Sequence, residues 1–104
     1  MNRFFIFSFI VFLATSSFAG SPVLPDCTYK GIRLYGKIKF VDSFPDITVK
    51  FVDSFPDLRV QMVSSFPDSC GKWQVVDSFP DIKVKVVDSF PDIKVKTVES
   101  FPGL

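Results

Sequence analysis

The sequence predicts an all-β fold, a compact closed or layered repeat structure whose short strands are linked by Asp-Ser-Phe-Pro-Asp turns. Three observations predict it. Phe-Pro recurs at 44–45, 55–56, 66–67, 79–80, 90–91 and 101–102, at spacings of 11, 11, 13, 11 and 11, and self-similarity at a fixed period marks a repeat architecture. Between these points apolar and polar residues alternate with period two, as in Ile47-Thr48-Val49-Lys50-Phe51 and Leu58-Arg59-Val60-Gln61-Met62, the pattern of a half-buried strand rich in β-branched residues. A proline every eleven residues or so would break any helix laid over the same segment.

The chain before the repeats divides in two. Residues 1–19 read as a secretory signal peptide: Arg3 gives a positive start, Phe4 to Ala14 an apolar run, and Ser17-Phe18-Ala19 the small residues that precede a cut. A spanning helix needs about 20 apolar residues, and Thr15, Ser16 and Ser17 interrupt this run too early. Residues 20–104 then form a single β-repeat domain. The chain carries 12 basic and 11 acidic residues; without Arg3 the two balance. A balanced charge argues against nucleic acid as a partner, because phosphate binding needs a basic stripe. The expected location is periplasmic or extracellular, with no membrane insertion after cleavage.

Cys27 and Cys70 are the two cysteines. In an oxidising compartment an exported small domain pairs an even number of cysteines, and neither a C-x-x-C spacing nor any histidine is present to suggest a redox or metal site. A structural disulfide follows. It ties together the two segments outside the strict repeat, Cys27 to Gly36 and the longer unit Asp68 to Val76, which holds the single tryptophan.

Within each unit the corner supplies two acids and a serine as hydrogen-bonding groups, while proline fixes φ. Its phenylalanine is expected inside: burying one contributes about 1.5–3 kcal/mol, and six repeat the gain. The valine before the first acidic position (41, 52, 63, 76, 87, 98) breaks the alternation. Either a bulge turns it inward or both sheet faces are covered there, which favours a closed or doubly layered structure over an open meander.

The run Gly36 to Asp46, the Ser69-Cys70-Gly71-Lys72-Trp73-Gln74 interruption and the ending Glu99-Ser100-Phe101-Pro102-Gly103-Leu104 resemble the septoil knot family. These are small, often exported bacterial proteins with tandem Val-Asp-Ser-Phe-Pro-Asp repeats. The resemblance implies a backbone wound as a seven-crossing torus knot, against the rule that chains avoid knots. It brings no established activity or ligand. Ser64, Glu99 and Gly103 depart from the repeated acids, which argues against one ligand shared by every corner.

The candidate chemistry is sparse. Acids four apart, as in Asp42 and Asp46, Asp53 and Asp57, Asp77 and Asp81, and Asp88 and Asp92, invite comparison with glycosidase pairs or calcium ligands. Near-identical repeats give near-identical environments, however, whereas acid–base catalysis needs two carboxyl groups whose pKa values are pushed apart. Capping of turns and pairing with strand lysines is the expected role. The repeated serines have no histidine to act as base, and the strand lysines at 50, 83, 85, 94 and 96 are expected to solvate the outer face and discourage edge pairing. No catalytic residue, cofactor or metal is expected. The chain is read as an exported, non-enzymatic structural or interaction scaffold, with an unknown partner in the envelope or medium. The alternative is a glycan- or calcium-binding module. Trp73, Tyr29 and Tyr35 would then offer a sugar-stacking patch, and Asp77, Asp81, Asp88 and Asp92 an acidic rim.

Overall fold

Alternation becomes strand wherever it was read, in a computed structural model that describes residues 21–104; the expected signal peptide, residues 1–19, lies outside the described residues. Two short strands, β1 (Thr28–Tyr29) and β2 (Ile32–Arg33), form an antiparallel hairpin. Lys30 and Gly31 both have positive φ at its turn, the twist that a two-residue hairpin connection requires. Six further strands follow: β3 (Gly36–Phe40), β4 (Ile47–Phe51), β5 (Leu58–Met62), β6 (Lys72–Val75), β7 (Ile82–Val86) and β8 (Ile93–Thr97). They close a barrel in the order β3-β6-β5-β8-β4-β7, and every pairing within it is parallel.

Two inward positions per strand fill this barrel. Ile47, Leu58, Ile82 and Ile93 form one level and Val49, Val60, Val84 and Val95 the next, all buried. β3 and β6 complete the core with Ile38 and Trp73. Trp73 stands in register with Gly36, so the bulkiest core side chain lies beside the strand start that has none. The third position of the same parity does not reach the interior: Phe40, Phe51, Met62, Val75 and Val86 are 37–53 % exposed, because the strand ends there and the chain turns out of the ladder.

The corners explain how parallel strands are joined by so few residues. Val84 of β7 is paired with Phe40 on one edge and with Ile47 on the other. The corner between β3 and β4 therefore starts and finishes on opposite edges of one strand. It leaves through Val41 N–H, which donates to Val84 O at 2.9 Å, and returns through Asp46 N–H, which donates to Lys83 O at 2.8 Å. Since the interior is packed, the corner passes over the outside of β7. The same crossing recurs over β8 from Val52 to Asp57, over β3 from Val76 to Asp81, and over β4 from Val87 to Asp92. The valines that break the alternation are thus the points of departure, half-buried and hydrogen-bonded to the strand about to be crossed. No bulge is needed.

One expectation is overturned. The six corner phenylalanines are not in the core: Phe44, Phe55, Phe66, Phe79, Phe90 and Phe101 are 78–96 % exposed. The reason lies in the crossing, since the barrel is already filled by two residues per strand and the corner runs along its outer wall. All six also hold φ between 53° and 56°, a left-handed backbone that glycine or asparagine adopts readily and that costs an aromatic residue about 1–2 kcal/mol.

Candidate functional site

The corners carry the distinctive chemistry, and their two acids do different work. In four of the corners the second acid is built into the scaffold. Asp46 Oδ2 accepts Lys83 N–H at 2.7 Å, Asp57 Oδ2 accepts Lys94 N–H at 2.8 Å, and Asp81 Oδ2 accepts Lys37 N–H at 2.9 Å. Asp92 Oδ2 takes Thr48 N–H at 2.8 Å, while Thr48 Oγ1 accepts Asp92 N–H at 2.9 Å. Each carboxylate thus satisfies a main-chain donor at the beginning of the crossed strand, which would otherwise be left unpaired. The expected capping is present, but the capped backbone lies far away in sequence, and the bond goes to a lysine amide in three corners and to that of Thr48 in the fourth. Gly103 lacks the carboxylate and substitutes its own carbonyl: Arg59 N–H donates to Gly103 O, and Gly103 N–H to Arg59 O, both at 2.8 Å.

The first acids, Asp42, Asp53, Asp77, Asp88 and Glu99, are exposed, each two residues before an exposed phenylalanine. Of the predicted acidic rim, then, Asp77 and Asp88 face solvent while Asp81 and Asp92 are tied to the backbone. Among the described residues no three carboxylate or thiol groups gather where they could hold a cation. The repeated serines are exposed beside the rings.

The predicted aromatic patch does not form. Trp73 is fully buried, its indole N–H donating to Leu34 O at 3.1 Å, so it offers no face to a sugar. Its burial follows from its inward parity on β6. Tyr29 and Tyr35 are half-buried; the Tyr29 hydroxyl donates to Asp92 Oδ1 at 3.3 Å, and the Arg33 guanidinium lies over the Tyr35 ring at 4.9 Å. Cys27 and Cys70 are joined in a disulfide with Cα atoms 5.8 Å apart, a bond compatible with an oxidising compartment. It fastens the hairpin segment to the irregular unit, where Gly71 N–H donates to Leu34 O at 3.3 Å.

Two hollows open beside these elements. One of about 390 Å³ is lined by Ile32, Arg33, Tyr35, Asp46, Asp81 and Ile82. The other, about 460 Å³, runs along the disulfide between Pro25 and Leu104. The solvent-facing phenylalanines are what sequence reasoning missed as a site. The signal was available: Ser-Phe-Pro is kept in all six units, while the flanking acids and the third strand position vary.

Fold and corner chemistry together define a class: a closed ring of parallel strands in which acid-capped corners cross over their neighbours. The family description that matches is the 7(1) septoil knot domain, over residues 31–104. The chain belongs to that family. An uncharacterised protein of Synechocystis sp. is 75 % identical over 48 residues, which are 46 % of this chain and 43 % of that protein. The chain thus matches less than half the length of this relative.

Proposed function

We propose that this chain is an exported, non-enzymatic scaffold whose role is interaction, and that its contact surface is the set of corner phenylalanines. One observation carries the reading. Six large apolar rings stand 78–96 % exposed on a backbone with φ of 53–56°, where asparagine or glycine would hold the same turn without strain and without an apolar surface in water. Strain of this kind concentrates at functional positions. A feature that costs the folded state something in every unit, and is repeated in every unit, serves something outside the chain. Rigid aromatic anchors lose little conformational freedom on docking, and several copies on one ring raise avidity when a partner can reach more than one.

Export rests on the residues 1–19 pattern and is in keeping with the Cys27–Cys70 disulfide. The glycan alternative shifts from the buried Trp73 to the corners, where an exposed ring, a serine and a free carboxylate lie together, as in Asp88-Ser89-Phe90. The calcium alternative has no such support. The deciding experiment replaces all six corner phenylalanines by asparagine and compares what the natural and altered proteins retain from native envelope or culture medium. A component held by the natural protein and released by a variant with the same circular dichroism and a Tm no lower supports the reading. An identical retained set contradicts it.

A further inference from the structure

We infer that the hollow beside the β1–β2 hairpin is a binding site for a small zwitterion, an α-amino acid with an aliphatic side chain. Nothing in this inference depends on the corner phenylalanines. The repeats make most of the barrel surface alike, and the hairpin is what breaks that likeness. It brings Arg33 and Tyr35 to the N-terminal ends of β3 and β7, where they enclose about 390 Å³ together with Ile32, Asp46, Asp81 and Ile82, a volume within the range of small-molecule sites.

The charges in this hollow have opposite signs and different degrees of engagement. Asp46 and Asp81 each commit Oδ2 to a main-chain N–H, of Lys83 and Lys37 respectively. A carboxylate accepts more than one hydrogen bond, and one oxygen of each remains for a ligand. The contrast with Asp92 is instructive: there the hairpin spends the Tyr29 hydroxyl on Oδ1 at 3.3 Å. The Arg33 guanidinium lies over the Tyr35 ring at 4.9 Å. That contact sets the guanidinium on the ring while its N–H donors stay free for a carboxylate, the pairing for which this group is suited. An ammonium between the two carboxylates and a carboxylate at Arg33 would answer both charges at once. Half-buried Ile32 supplies apolar lining for a side chain, with the core residue Ile82 beneath it. A purely anionic ligand meets two carboxylates, and a purely cationic one meets Arg33.

The test is a titration of the oxidised protein with leucine, N-acetyl-leucine and leucinamide, followed by amide NMR shifts. Leucine is expected to give saturable shifts at residues 31–35 and around 46 and 81, and each blocked compound to bind about tenfold more weakly, the loss of one charge-assisted contact. Arg33→Gln should weaken leucine about tenfold and should not weaken leucinamide. Asp46→Asn with Asp81→Asn, which keeps an oxygen for the Lys83 and Lys37 amides, should weaken both by about tenfold. Asp57→Asn is the control for fold, because Asp57 caps Lys94 in the same way but does not line the hollow. Absence of saturable shifts at millimolar leucine, equal affinity for the three compounds, or an equal loss in Asp57→Asn would each overturn the inference.

Discussion

Asp46 meets Lys83 twice: its main-chain N–H donates to Lys83 O at 2.8 Å and its Oδ2 accepts Lys83 N–H at 2.7 Å. One aspartate thereby stands in for a strand residue, engaging both polar groups of a partner 37 positions away. This joint is repeated around the ring, and it is how corners of six residues fasten to the strands they cross. Asp46→Ala should remove the side-chain half and lower stability by about 0.5–1.5 kcal/mol, while Asp46→Asn stays within about 0.5 kcal/mol. Urea unfolding of the two variants measures the difference. Equal losses would show that the carboxylate oxygen is not the acceptor that matters.

Gly71 tests the irregular unit. It is buried with φ +83°, and an added Cβ would run into the Arg59 carbonyl and the Gly103 amide. Gly71→Ala is expected to cost more than about 2 kcal/mol, combining a disfavoured backbone with a steric conflict. Gly31→Asn, at φ +84° with open space around it, should cost less than about 1 kcal/mol. The pair is read from the same unfolding curves.

The single tryptophan reports the core directly. Because Trp73 is fully buried, the native protein should emit at short wavelength and resist iodide quenching, and Trp73→Ala should cost about 3–5 kcal/mol. Red-shifted, readily quenched emission would contradict the placement.

Unfolding and refolding should be slow. The barrel pairs strands remote in sequence, such as β3 with β7 and β4 with β8, and each crossed strand lies beneath a corner of another unit, so the ring cannot peel strand by strand. Long-range parallel pairing is slow to form. Denaturant-jump kinetics should show relaxation on the scale of seconds or longer near the midpoint, with hysteresis between the two directions. Reversible millisecond relaxation would argue against interlocked corners.

Much of this fold was legible in the residues. The strands Ile47–Phe51 and Leu58–Met62 coincide with the alternation read from them, because a period of two, β-branched residues and flanking prolines all favour the same state. The cysteine pair was legible too, from the even count and the compartment expected from residues 1–19. Position relative to the barrel was not. Phe44 and Ile47 are both large and apolar, and only the crossing over β7 decides that Ile47 is buried and Phe44 stands outside. Local pattern contains no term for such a crossing, since it depends on what lies 37 or 44 residues away. The alternative reading of Trp73 as part of a sugar platform fails on local grounds instead, since its own parity on β6 points inward and it is buried. The hollow at Arg33, Asp46 and Asp81 was equally hidden, being assembled from three separate segments.

The corner rings remain the centre of the account, and Phe90, at 96 % exposed with φ 53°, is the sharpest place to test them. If the ring contributes nothing to the fold and its backbone is held against its preference, Phe90→Asn should raise stability by about 0.5–1 kcal/mol, or a few degrees in Tm. A thermal melt of the oxidised protein decides the matter. An unchanged or higher Tm agrees with a ring displayed for a partner; a fall of several degrees would show that Phe90 holds the barrel together.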